Sequence, residues 1–99
     1  MTPEKMKEVV RASATLIHKL YDQYAKPLDS VCLSEMGFMF DLYHPEDVMG
    51  HLLWMCNEIE TKLADTDMSK ADRWLGFIQG VLWSTSCATI DEMREMNRA

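Results

Sequence analysis

Three histidines and three cysteines are the side chains that could carry metal or nucleophilic chemistry in this sequence of 99 residues. The histidines are His18, His44 and His51, and no two have the three- or four-residue spacing that places two imidazoles on one helix face. The segment DTDMS, residues 65–69, begins like a calcium-binding loop. It then fails, because a lysine occupies the glycine position and a glycine occupies that of the closing glutamate. We therefore expect no metal site and no cofactor.

Nucleophilic catalysis would need a serine or cysteine with a histidine base in reach. Cys56 lies on an apolar helical stripe, where a cysteine usually packs as a small hydrophobic residue. His51 borders the same stripe, and His18 with Asp22 is most simply a surface pair. The chain has no nucleophile elbow, phosphate-binding loop or dinucleotide fingerprint. We expect no catalytic residue and no enzyme, although a cysteine and a histidine on different helices could still meet.

The composition is that of a single globular domain and excludes several classes of function. Hydrophobic residues make up 47% and charged residues 26% of the chain. The formal net charge is −6, and no cluster of Lys and Arg offers a site for phosphates, so we expect no direct nucleic-acid binding. The odd number of widely spaced cysteines gives no disulfide framework. Without a signal peptide or a membrane-spanning run, and with cysteines that read as reduced thiols, the expected location is a cytoplasm.

Helical periodicity, caps and prolines predict an all-α protein. A first helix covers about residues 3–26, where apolar residues recur with 4-3 spacing, and Pro27 ends it. Pro45 at a first helical position opens a second helix of about residues 45–64. A third helix of about residues 69–87 follows a short polar turn.

The C-terminal segment predicts one further short helix. Thr89 and Glu92 have the spacing of a capping box and open a helix of about residues 90–97. Because a short turn joins the second and third helices, they should pack antiparallel. We thus expect a small bundle of three main helices built round an antiparallel helical hairpin at 45–87. Residues 28–44 predict a packed, irregular connector, with room for one short helix from about Ser34 to Leu42.

The segment RWLGFIQGVLW contains more aromatic and apolar residues than a single core-facing stripe of a helix requires. At about 100° per residue, one apolar stripe of this helix consists of Ala71, Trp74, Leu75, Ile78, Val81 and Leu82. That stripe is sufficient to pack the helix against its neighbours. On the opposite side lie Arg73, Gly76, Gly80 and Trp83, and Trp54 falls off the core stripe of the preceding helix.

These five residues have two interpretations. In the first, the N-terminal third of the chain covers them, and both sides of the hairpin are core. In the second they form a binding surface, where the tryptophans anchor a partner, the glycines allow close approach and Arg73 orients an anion or carboxylate. A glycine inside a helix costs about 1 kcal/mol relative to alanine. Two glycines one turn apart make a notch where another backbone or a flat ligand could approach closely, and both interpretations stay open at this point.

The C-terminal third, KADRWLGFIQGVLWSTSCATIDEMREMNR, resembles the end of a group of small bacteriophage and prophage helical proteins. Those proteins share a RWLGFIQG-x-LW helix followed by a TIDE helix. The segment HLLWMC, residues 51–56, resembles their middle, so the resemblance covers roughly residues 45–98. It implies phage origin and a helical hairpin, and it implies no activity and no catalytic residue.

We therefore expect a non-enzymatic phage accessory protein that binds a host or defence-system protein and forms a homo-oligomer. The part about host proteins rests on analogy with other small phage proteins. The alternative is a protein that sequesters a nucleotide, whose base would stack in the aromatic notch while Arg73 binds a phosphate. An enzyme with an unrecognised site is a third and weaker reading.

Overall fold

The computed structural model describes residues 1–21, 45–84 and 88–98, and these residues form four helices without a strand. In chain order the helices are α1 (Pro3–Tyr21), α2 (Pro45–Glu58), α3 (Met68–Ser84) and α4 (Ile90–Asn97). The described chain is thus a small helical bundle, and the prediction of an all-α protein is confirmed. The predicted connector at 28–44 lies outside the described residues.

Helix α1 supplies one wall of the core and lies against each of the other three helices. It begins as its sequence predicts, because the Thr2 hydroxyl accepts a hydrogen bond from the Lys5 amide at 3.1 Å. Its buried stripe consists of Met6, Val9, Val10, Ser13 and Ile17, each at most 1% exposed. The one polar member is satisfied, since the Ser13 hydroxyl donates to the Val9 carbonyl at 2.9 Å.

Helix α2 continues without a break into a π-helical turn, Ile59–Leu63, and a short α-helical end, Ala64–Thr66. The sequence predicts one helix to about residue 64 and gives no sign of the π turn, although Leu63 packs against the core. A π turn holds one extra residue, which rotates the following side chains. As a result Ala64 is buried at 1% exposure, whereas Leu63 is only half-buried.

A single residue, Asp67, separates this helical end from α3. Of the two residues that could cap the third helix, Asp67 and Ser69, Asp67 does so. Its Oδ1 accepts from the Lys70 amide at 3.1 Å. The break is therefore shorter than the predicted polar turn, because helix continues through Thr66 and resumes at Met68.

Helix α4 has the predicted bounds and the predicted cap. The Thr89 hydroxyl accepts from the Glu92 amide at 3.1 Å, and the Glu92 carboxylate accepts from the Thr89 amide at 3.0 Å. Met93 and Met96 pack against the core cluster as half-buried residues. None of the helices in the described part of the chain is long and apolar enough to span a membrane.

Candidate functional site

The inner face of α3 packs the helix into the bundle. Ala71, Leu75, Ile78 and Leu82 are buried, each at no more than 5% exposure. Trp74 and Val81, the other members of the predicted stripe, are half-buried and pack against the same core. These buried contacts of the inner face are sufficient to hold α3 in the bundle.

The outer face of α3 carries four of the five predicted site residues. We use this name for Arg73, Gly76, Phe77, Gly80 and Trp83, all of which are exposed. Trp83 is 56% exposed and Phe77 is 41% exposed. Phe77 lies at the edge of this face, about 120° round the helix from Trp83, so Trp83 is the large apolar side chain that the face presents.

The two glycines leave an open floor between these aromatic side chains. A Cβ built on Gly76 or Gly80 would meet no atom of the described residues within 4 Å. Packing within the described chain therefore gives no reason for glycine at either position. Because each costs about 1 kcal/mol of helix stability relative to alanine, a contact outside these residues is the simplest physical reason for them.

Charge is also absent along this part of the chain. No charged residue occurs between Arg73 and Asp91. Charge on the outer side of α3 is therefore confined to the N-terminal end of the helix, where the exposed Asp72 lies beside Arg73.

Trp54, the fifth predicted residue, lies elsewhere. Its ring stacks on His51 at a centroid distance of 5.7 Å and packs against Trp74, also at 5.7 Å. Trp74 points about 160–180° away from Gly76 and Trp83 round α3. The structure thus brings four predicted residues onto one face and places Trp54 in a contact between α2 and α3.

That contact explains why Trp54 lies off the core stripe of α2. It is a half-buried aromatic cluster in which Lys70 adds its ammonium group 5.1 Å from the Trp74 ring centroid. His51 is 7% exposed in the same cluster. The tryptophans here bury area between two helices, which gives a structural reason for a tryptophan off the main stripe; the role of Trp54 in binding stays a prediction.

A concave surface beside Trp83 was not predicted from the sequence. A hollow of about 380 Å³ lies beside its ring and is lined by Trp83, Ala88, Thr89, Ile90 and Asp91. Ile90 is 48% exposed. Ile90 directly follows the Thr89 cap. An apolar residue at the first position of a helix was the signal in the sequence that could have indicated this hollow.

A second and larger concavity of about 520 Å³ lies between α1 and α4. Its apolar lining includes Leu16 and Met96, and its rim carries Lys5, Glu8, Lys19, Glu92 and Glu95. The rim charges are partly paired with one another, as in the 3.8 Å contact of Lys5 with Glu8. This groove has a solvated, charged border, unlike the outer face of α3.

Cys56 has the environment of a structural cysteine. Burial, with the nearby Glu60 charge as a second cause, raises the pKa of its thiol to about 12. The side chain is 3% exposed in the core. A buried thiol that stays protonated at neutral pH is not a nucleophile, as its apolar stripe predicts.

The described residues contain no group of three or more His, Cys, Asp or Glu side chains that could hold a metal ion. His44, Cys32 and Cys87 lie outside those residues. In comparisons with known proteins, no family model, curated protein or solved structure matches the chain. The candidate site therefore rests on the geometry of α3 alone.

Proposed function

We propose that this chain is a small non-enzymatic accessory protein of a bacteriophage or prophage that binds a host or defence-system protein through the outer face of α3. The observation that carries the binding role is the 56% exposure of Trp83 beside two glycines with open space above them. The phage origin and the bacterial cytoplasm as its location follow from the resemblance of the RWLGFIQGVLW and TIDE segments.

The residue types on this face suit a protein partner. Tryptophan and arginine are the side chains that most often dominate the binding energy of protein interfaces. Trp83 would insert into a pocket of the partner, Arg73 would pair with a carboxylate, and the glycine floor would admit a helix at short distance. The hollow beside Trp83 and Ile90 extends the surface toward α4.

A rigid hairpin would hold this face in place. We propose that 45–87 forms the antiparallel helical hairpin, with the outer face of α3 directed away from α2. The one-residue break at Asp67 and the packing of Trp54 on Trp74 support this arrangement. The face would then need no rearrangement before binding, which lowers the entropic cost of association.

The nucleotide alternative fits the outer face less well. Arg73 and Trp83 are ten residues apart, which places them about 15 Å apart along the helix axis. An exposed helix face also cannot enclose a small ligand, whereas small-molecule sites bury about 70–90% of their ligand. A long, open strip suits a protein segment better than a single nucleotide.

Affinity capture with matched variants tests the proposal. The tagged chain is used as bait in a lysate of phage-infected bacteria, beside Trp83→Ala, Arg73→Ala and Arg98→Ala. Arg98 is the matched control, because it is an exposed arginine that pairs with Glu95 and not with a residue of the hollow. We expect one bacterial protein to be retained by the wild type and by Arg98→Ala, and lost with both variants of the outer face.

Two results would contradict the proposal. One is a partner retained equally by all four baits, which would place the binding surface elsewhere. The other is a rise of the melting temperature with a nucleotide that Trp83→Ala abolishes, since a ligand that binds only the folded state stabilises it. That second result would establish the sequestering alternative.

A further inference from the structure

We propose that the π turn at the end of the second helix is a register switch, which two ion pairs from α1 hold in its π form. The switch comprises residues 59–66, the π turn and the short helical end after it. In its other form this segment is a regular α-helix, and Leu63 takes the buried place of Ala64. The switch belongs to the scaffold, so it does not depend on the proposed partner of the outer face of α3.

The π turn places residues five apart above one another. The Ala64 amide donates to the Ile59 carbonyl, five residues back, whereas in an α-helix it would donate four residues back. Ile59 and Ala64 are accordingly both buried, at 0% and 1% exposure. At 100° per residue, a regular helix would turn Ala64 about 140° away from Ile59 and place Leu63 about 40° from it. The π turn therefore decides which of these two residues is buried.

The same five-residue step brings two carboxylates onto the side of the segment that faces α1. Arg11 bonds to Glu60, and Lys7 lies 2.8 Å from Asp65. The two cations are four residues apart and lie within about 40° of each other round α1. Glu60 and Asp65 are five residues apart, and a regular helix would point them about 140° apart. The two ion pairs together therefore match the π register, and a regular helix would break at least one of them.

Two threonines repeat at the same interval. The Thr61 hydroxyl donates to the Asn57 carbonyl at 2.7 Å, and the Thr66 hydroxyl donates to the Lys62 carbonyl at 2.8 Å. Hydroxyl bonds of this kind, to the carbonyl four residues back, often bend helices. Each of the positions 59–61 thus has a counterpart of the same character five residues later, a correspondence that is apparent only in the π register.

Two effects oppose the π register. Leu63 is half-buried at the edge of the core, and a regular helix would bury it further in place of the smaller Ala64, which removes more apolar area from water. π-helical turns are also rare in proteins, and those that occur are frequently at functional sites. The ion pairs that favour the π register are partly exposed and individually weak. The two registers therefore lie close in free energy, and a small perturbation is enough to change between them.

A change of register would reach the start of α3. Closing the π turn rotates Ala64–Thr66 by about 100° relative to α2. Because the inner face of α3 is buried, the single residue between the two helices, Asp67, must absorb this rotation. Asp67 also caps α3, since its Oδ1 accepts from the Lys70 amide at 3.1 Å. The regular register would thus remove this cap and loosen the hairpin. The input is ionic strength, because salt screens exposed charge pairs.

The solvent exposure of two methyl-bearing side chains reports the register. NMR spectra of the full chain are recorded with a soluble, neutral gadolinium chelate, which broadens the signals of exposed methyl groups. In the wild type at low salt, the Ala64 methyl should be protected and the Leu63 methyls broadened. With Lys7→Gln and Arg11→Gln together, the ratio of the regular to the π register should rise by about tenfold, because two exposed pairs are lost. Salt at about 1 M should shift the wild type in the same direction.

Two further variants separate the switch from a general loss of charge. Lys62→Gln is the matched control, because it removes a lysine of the same segment whose ion pair with Glu58, at 3.4 Å, lies within the second helix. It should leave the register unchanged. Adding Leu63→Ala to the double variant should restore the π register, because an alanine at position 63 gains little burial from a regular helix.

Three results would overturn the inference. The first is a double variant in which Ala64 stays as protected, and Leu63 as exposed, as in the wild type. The second is an equal change of register with Lys62→Gln. The third applies even if circular dichroism shows that the double variant does not fold. It is a wild type in which the exposure of both side chains stays constant from about 0.05 M to about 1 M salt, a range over which the screening length falls severalfold.

Discussion

Helices α1 and α3 have similar lengths and each buries one apolar stripe, but their outer sides differ. The outer side of α1 is charged. Two of its cations reach across to the end of the second helix, where Lys7 lies 2.8 Å from Asp65 and Arg11 bonds to Glu60. The outer face of α3 has glycines and aromatic side chains, and its charges, those of Arg73 and the neighbouring exposed Asp72, are confined to the N-terminal end of the helix.

The two outer sides therefore suit different roles: the charged side of α1 suits contact with water, and the outer face of α3 does not. Exposed ion pairs such as those of α1 contribute little to stability, typically about 0–1 kcal/mol each, and chiefly keep the surface solvated. The outer face of α3 exposes apolar area and holds two glycines that the described packing does not need. Such a face lowers the stability of the described part of the chain, so a contact outside the described residues is its simplest physical explanation.

The largest expected effect separates the two faces of α3. Ile78→Ala on the buried inner face should lower the free energy of unfolding by about 2–5 kcal/mol, because it leaves a cavity in the core. Trp83→Ala on the outer face should change it by about 0.5 kcal/mol or less, as surface substitutions do. Urea unfolding followed by circular dichroism measures both.

The comparison between α1 and α3 depends on this result. If Trp83→Ala destabilises the isolated chain by several kcal/mol in dilute solution, Trp83 is core and the outer face is not a surface. Trp74→Ala gives an intermediate reference, because this half-buried tryptophan packs against Trp54 and should lose more stability than Trp83→Ala.

Patterns local in sequence predicted most of the fold. The caps at Thr2 and Thr89 and the buried stripes of α1 and α3 follow from residue type and helical period alone. The π turn after α2 was not predictable in this way. The segment Ile59–Leu63 is compatible with a regular helix, and the extra residue per turn appears in the structure as the burial of Ala64 instead of Leu63.

The candidate site was predictable from the sequence where its residues share one helix, and not where they lie on different helices. Arg73, Gly76, Gly80 and Trp83 share one helix, so the helical period was enough to place them on one face. Trp54 belongs to another helix, and its position depends on how α2 and α3 pack. Periodicity showed that Trp54 lies off the main stripe, but a half-buried contact with Trp74 and a free surface have the same signature in sequence.

The burial of Cys56 in the core can be tested by the dependence of stability on pH. Its thiol pKa is raised from 9.0 to about 12 in the folded chain. Between pH 9 and 12 the unfolded chain therefore loses this proton while the folded chain keeps it, and stability falls as pH rises. The free energy of unfolding should fall by about 1 kcal/mol per pH unit in this window.

Comparison with Cys56→Ala isolates this effect from other groups that titrate at alkaline pH. Relative to the wild type, the variant should be less stable at pH 7, because of its cavity, and the difference should shrink steadily above pH 9. A difference between the two chains that stays constant from pH 7 to 11 would show that Cys56 is not buried as described.

The smallest expected effect concerns the glycines of the outer face, and it has opposite signs for stability and for association. Gly76→Ala and Gly80→Ala should each raise the free energy of unfolding by about 0.5–1 kcal/mol, because alanine favours helix and its Cβ meets open space. The same Cβ occupies the floor where a helix of the proposed partner would lie, so retention of the captured bacterial protein should weaken. Thr15→Ala, on the exposed side of α1, is the control: it should also stabilise its helix but leave retention unchanged. Glycine variants that gain stability without weakening retention would show that the glycines are not contact positions, and the contrast between α1 and α3 would then rest on Trp83.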